Sequence, residues 1–199
     1  MLHVAHRVNS VKNLLKIPNN MGIEIDIRDH EKKLIVGHDP FKKGIVLEDY
    51  LKNFSHKFII ANVKCEGIEK SIIKLFYKFK IKNFFLLDSA FPAIMRMNKR
   101  FSKHFCLRIS EFETYNKLSE LNKHCKWIWL DCFENINLDK KVYNEFKKKG
   151  FKICLVSPEL HGRKLRNPNS KKFLKKIRQK EIKIDAICCK FHNFGFWKI

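Results

Sequence analysis

The chain has 199 residues, of which 45% are hydrophobic and 13% aromatic, including 18 Phe. That length fits a single domain spanning 1–199 with a packed core, and that composition excludes a disordered chain. The 42 Lys and Arg against 20 Asp and Glu leave a formal charge of +22 at pH 7. Because these cations decorate nearly every helical segment rather than one patch, they read as a solvated surface ahead of a nucleic-acid or anionic-lipid footprint.

No apolar run approaches the roughly 20 residues of a bilayer span. The opening MLHVAHRVNS has no basic stretch followed by an apolar one, so no secretion leader is read and a cytoplasmic protein is expected. The 7 cysteines are odd in number, lie mostly in apolar runs and form no C-x-x-C pair, which suits reduced, buried thiols. Cys188 and Cys189 are adjacent, so in a strand their side chains face opposite ways.

In chain order, the apolar runs predict strands at Leu2–Arg7, Gly22–Arg28 with a hairpin return at Leu34–His38, Phe58–Lys64, Phe84–Ser89, Phe105–Ser110, Trp127–Phe133, Phe151–Ser157 and Asp185–Lys190. Helical periods lie between them. Ser10 is read as the cap of a helix carrying Val11, Leu14 and Leu15; Ile68, Ile72, Leu75, Phe76 and Phe79 share one helical face; Leu138, Val142 and Phe146 make a shorter stripe. Ser170 is read as the cap of a helix carrying Phe173, Leu174 and Ile177, after a polar loop, His161–Ser170, that would serve as a flap.

Eight strands alternating with helices predict an α/β fold: a compact, parallel (β/α)8 barrel of the TIM type. An open doubly wound sheet would want a Gly-rich first turn, which is lacking. Only Phe191–Ile199 follows the last strand, so the final helix is expected to be missing. The exposed seam would then need Phe194, Phe196 and Trp197 folded back over it, or a second subunit in a homodimer.

Polar residues gather where the strands end: His6 and Arg7, Glu24 and Asp26, His38, Asn62 and Lys64, Asp88, Arg108, Asp131, Glu159 and Lys190. In such a barrel that rim forms the active site. Glu24 and Asp26 alternate with Ile23, Ile25 and Ile27, which puts both carboxylates on one face of the strand. Two inward carboxylates need a salt bridge, for instance to Lys64, or a divalent cation, Mg²⁺ or Ca²⁺ by their oxygen chemistry. Asn62 can add a neutral oxygen to such a cation, and Lys64 a positive charge to a phosphate. His6 and His38 supply two imidazoles able to move protons in opposite directions.

The segments AHRVNS, GIEIDIR and LIVGHDP resemble the opening of the glycerophosphodiester phosphodiesterase family, with His-Arg after the first strand, Glu-x-Asp in the second and His-Asp soon after. The match covers about the first third of the chain. It implies a phosphoric diester hydrolase in which His6 and His38 are the catalytic pair, Glu24 and Asp26 hold a divalent cation, and Arg7 contacts the phosphate. Asn62 would complete the metal shell, and Lys64, Arg108 and Lys190 would join Arg7 on the phosphate of a small polyol phosphodiester. The phosphatidylinositol-specific phospholipase C-like group shares this barrel and its two histidines. The chain departs from the family pattern at Asn62, where Glu is usual, in the near absence of an insertion between Asp39 and the helix around Leu47–Phe54, and in its short end. Two alternatives follow: a barrel with weakened catalysis that binds a phosphate ligand, and a basic nucleic-acid binder stacking bases on Trp127, Trp129 and Trp197.

Overall fold

The computed structural model describes residues 1–136, 138–179 and 181–198. Among the described residues eight parallel strands follow one another around a ring: β1 (Leu2–Ala5), β2 (Gly22–His30), β5 (Phe58–Val63), β6 (Phe84–Leu87), β7 (Cys106–Ile109), β8 (Trp127–Leu130), β9 (Lys152–Val156) and β10 (Ala186–Cys189). β10 pairs back with β1 in register Leu2↔Ala186 to Ala5↔Cys189. Two further short strands, β3 (Lys33–Val36) and β4 (Ile45–Val46), run antiparallel beyond β2.

The β2–β3 hairpin closes on two residues with positive φ, Glu31 (48°) and Lys32 (63°). That twist is the type I′ geometry that matches paired strands. Glu-Lys accepts it here without the usual Asn-Gly, which is why the turn carries no sequence signal.

Among the described residues seven α-helices occupy the connections: α1 (Val11–Leu14), α2 (Leu47–Leu51), α3 (Glu69–Lys78), α4 (Phe91–Arg96), α5 (Leu118–Leu121), α6 (Lys140–Lys148) and α7 (Pro168–Arg178). Ser10 caps α1 by accepting from the Asn13 N–H, as its position suggests. α7 corrects the expectation for Ser170. Its cap is Asn167, whose side chain accepts the Ser170 N–H at 2.8 Å, with Pro168 at the first helical position. Asn-Pro starts a helix well because proline lacks only an N–H that would have no partner there.

The period of two separates two apolar layers. Val4, Ile60, Phe85, Leu87, Trp127, Trp129, Cys154, Val156 and Cys188 fill the barrel, while Ile23, Ile25, Ile27, Ile59, Phe84, Leu86 and Cys189 pack under the helices. The adjacent cysteines do face opposite ways: Cys188 into the barrel and Cys189 towards the helices. Gly22 lets β1 and β5 close in, since a Cβ there would lie 3.0 Å from Val4 Cγ2 and 3.2 Å from Phe58 Cβ. Trp127, Trp129 and Trp197 are all buried, so none is available to stack a base.

The barrel is not closed by continuous ladders. Between β6 and β7 a single bridge, Leu86↔Phe105, replaces the ladder. A 3-10 helix, Lys99–His104, enters this seam, and its His104 stacks on Phe84 at 3.8 Å between ring centroids. The Cys106 thiol donates to the Leu86 carbonyl at 3.2 Å, a task a ladder N–H would otherwise perform.

After β10, Phe191–Trp197 forms a 3-10 helix that folds back on β1 and β10, the first of the two arrangements expected for this segment. Trp197 is fully buried and donates its indole N–H to Ser157 Oγ at 2.9 Å. Phe194 is buried and Phe196 partly so, which removes the motive for a homodimer. Ile199 of that segment lies outside the described residues. No helix among the described residues is long and apolar enough to cross a membrane.

Candidate active site

At the C-terminal ends of the strands opens a cleft of about 740 Å³, lined by His6, Arg7, Asn62, Lys64, Asp88, Arg108, Asp131, Glu159 and Lys190, with Leu87, Trp129 and Val156 among its apolar walls. Strand geometry explains this convergence. Each strand leaves its last inward residue at the mouth, where the following loop turns outward.

Glu24 and Asp26 sit on the inner face of β2, fully buried. Glu24 Oε2 accepts the Arg7 N–H at 2.6 Å, and Glu24 Oε1 accepts the Asn62 side-chain N–H at 3.0 Å. Arg7 has φ 53°, a costly conformation for a residue that carries a Cβ, and this turn is what aims its N–H at Glu24. Burial, and then the neighbouring Asp26, push the Glu24 carboxyl well above the usual carboxylate range. Asp26 is clamped by Asn9, which donates from Nδ2 to Oδ2 at 2.7 Å and accepts the Asp26 N–H at 2.9 Å. Lys64 Nζ lies 3.4 Å from Asp26 Oδ1 and 3.7 Å from Asp88 Oδ2.

His6 Nε2 is 3.9 Å from Glu24 Oε2. Burial, and then the Arg7 guanidinium, hold its pKa down at about 4, so its imidazole is neutral at pH 7. His38 stands further out, with an exposed side chain. Arg7 Nη2 donates to its Nε2 at 2.7 Å, which leaves Nδ1 to carry the proton and donate to Asp39 Oδ1 at 2.9 Å. His38 is therefore tied to the cleft through Arg7 but does not line it.

The later strand ends are less free than their sequence suggests. Arg108 faces the cleft, yet Nε and Nη2 donate to Asp88 Oδ1, and Nη1 to Asp131 Oδ2. These bonds strap β6, β7 and β8 together at the mouth, beside the seam that lacks a ladder. Glu159 is likewise engaged, accepting the Lys190 N–H at 3.2 Å, the Asn193 amide at 3.1 Å and the Ser157 hydroxyl.

Three residues with clear roles escaped the sequence reading. Asn9 clamps Asp26, and Asp39 orients His38. His161 was read only as the start of a flap, but it ends a 3-10 helix (Pro158–His161), lines the cleft and bonds Asp131 at 2.6 Å. Asn9 sits three residues after His6 in a loop, with no pattern to mark it.

Asn62 Oδ1 is buried without a hydrogen-bond donor, Asp26 Oδ1 has only the Lys64 ammonium at 3.4 Å, and the two residues are register partners on β2 and β5. With Glu24 beside them they form a buried oxygen set that suits a hard cation. Among the described residues no group of three or more His, Cys, Asp or Glu is placed to hold an ion, and the residue beside the two carboxylates on β5 is the neutral Asn62.

No family model matches the chain, and no curated protein sequence matches it. Solved structures do. The glycerophosphodiester phosphodiesterase from Agrobacterium tumefaciens superposes with a TM-score of 0.65 at 13% identity, covering 94% of this chain and 96% of that one. A glycerophosphoryl diester phosphodiesterase from Parabacteroides distasonis gives 0.60 at 13% identity, covering 94% and 81%. The chain has the TIM-barrel-type fold of these phosphodiesterases.

Proposed function

We propose that the chain is a phosphodiesterase that hydrolyses a small polyol or glycerol phosphodiester in this cleft. The observation that carries the reading is the juxtaposition of a neutral imidazole, His6, with a buried carboxylate pair and with Arg7 and Lys64 at one mouth. The fold shared with two phosphodiesterases supports it.

Glu24, Asp26 and Asn62 would hold a divalent cation, Mg²⁺ or Ca²⁺, which when bound supplies positive charge to the phosphate oxygens. Arg7, Lys64 and Lys190 add charge from the protein, at the point where it builds in the transition state. Arg108 shapes that wall and offers the phosphate only the N–H groups its carboxylates leave. His6 accepts the proton of the attacking hydroxyl or water. The resemblance names His38 as the second imidazole; here its Nε2 is held by Arg7 outside the cleft lining, where the ring orients that guanidinium.

Turnover of bis(p-nitrophenyl) phosphate with Mg²⁺ or Ca²⁺ tests the reading. The wild-type chain is expected to release p-nitrophenol, and His6→Ala to lose at least about 100-fold of that rate, the usual worth of a general base. An undiminished rate in His6→Ala would remove His6 from the mechanism.

A further inference from the structure

Facing the carboxylate pair across the cleft is an acid–base group of different construction. Asp131 follows β8 and is buried; its Oδ2 accepts from Arg108 Nη1 and from Trp129 Nε1, and its Oδ1 takes only His161 Nε2, at 2.6 Å. A carboxylate acceptor fixes the proton of that ring on Nε2 and steadies positive charge when it forms. Nδ1 has no protein partner among the described residues and is the nitrogen left for a ligand. Phe133 packs on the ring at 4.6 Å, and Gly162, with φ 74°, ends the turn that presents it. His161 and His6 both line the cleft, whereas His38 does not.

We infer that His161, positioned by Asp131, is the general acid that protonates the leaving alcohol, in a subsite walled by Trp129, Phe133 and Leu160. The inference rests on the phosphodiesterase reading and refines it. As the nucleophile's oxygen bonds to phosphorus, its proton passes to His6. His161 enters the step protonated on both nitrogens, Nε2–H on Asp131 and Nδ1–H towards the substrate; the phosphorus–alkoxy bond breaks, its electron pair stays on the alcohol oxygen, and that oxygen takes the Nδ1 proton. His161 is left neutral with Nε2–H on Asp131, and solvent then resets both rings.

The test uses the leaving group. Loss of p-nitrophenolate needs little protonation, whereas loss of an alkoxide needs it greatly. His161→Gln is expected to lower kcat about 100-fold on a glycerol methyl phosphodiester and less than about threefold on bis(p-nitrophenyl) phosphate. Asp131→Asn is expected to show the same selectivity with KM little changed. Equal losses on both substrates, no loss on either, or the selective loss appearing in His38→Gln instead, would overturn the assignment. Titration with inorganic phosphate, followed by NMR of the histidine rings, separates this inference from its parent. His6 and His161 should both shift whether or not diesters turn over. A shift of His6 alone takes His161 out of the site, while absent turnover with both rings shifted removes the hydrolytic reading and the acid step together.

Discussion

Asn62 donates its side-chain amide to Glu24 across 3.0 Å, from the strand next to the one that carries both carboxylates. This contact satisfies one oxygen of a fully buried acid with a neutral partner, while the Asn62 oxygen itself finds no donor. Asn62→Glu would replace a hydrogen bond with a third anion beside two others. Without cation this variant is expected to be less stable than wild type, because buried like charges repel. With Ca²⁺ or Mg²⁺ it should bind at least about tenfold more tightly, as an added charged oxygen ligand does. Calorimetric titration of both proteins gives the answer, and equal affinities would place Asn62 outside the metal shell.

Arg108 is expected to matter more for stability than its exposure suggests. It is the main positive partner of buried Asp131 and bridges the weak β6–β7 seam through Asp88. Arg108→Met leaves Asp131 with His161 and the Trp129 indole as its remaining partners. Removing one partner of a buried ion pair costs about 3–5 kcal/mol, and the partial exposure of Arg108 brings the expectation to about 2–3 kcal/mol. Denaturant unfolding measures it. A loss under about 0.5 kcal/mol would show that the seam does not depend on this strap.

Two histidines set the acid limb of stability. Burial lowers the pKa of both His6 and His104 to about 4. The unfolded chain takes up these protons near pH 6.5 and the folded one near 4. Their contribution is therefore complete above about pH 6.5 and is lost as pH falls towards 4. Glu24 has the opposite sign: its raised pKa stabilises below about pH 4.5, and that part is lost as pH rises through the raised value. His104 isolates the first effect because it lies away from the cleft, with Nδ1 donating to the Phe84 carbonyl at 3.2 Å and Nε2 accepting from Tyr77. His104→Gln is expected to be less stable than wild type at pH 7.5 and to lose less on going to pH 5. Parallel slopes would contradict the assignment.

Much of this was legible because strand periodicity is blunt. Alternation of Glu24 and Asp26 with three isoleucines fixed which side faces inward, and the apolar runs located all eight parallel strands. The β6–β7 seam was not legible, since Phe105–Ser110 reads as an ordinary strand and nothing in it announces that a cysteine thiol will replace a ladder bond. His161 was hidden for a related reason. Its role comes from Asp131, 30 residues away, and pairing across two strand ends leaves no spacing to read. Arg108 shows the converse: an arginine at a strand end looks like a phosphate ligand until its carboxylate partners are seen.

The most direct test of the central claim is a ³¹P NMR time course of a glycerophosphodiester with wild-type chain and Ca²⁺ or Mg²⁺. The diester resonance is expected to be replaced by that of a monoester, directly or through a cyclic phosphate, and His6→Ala to stop the conversion. A diester signal that stays unchanged with folded protein and either cation present would contradict the claim.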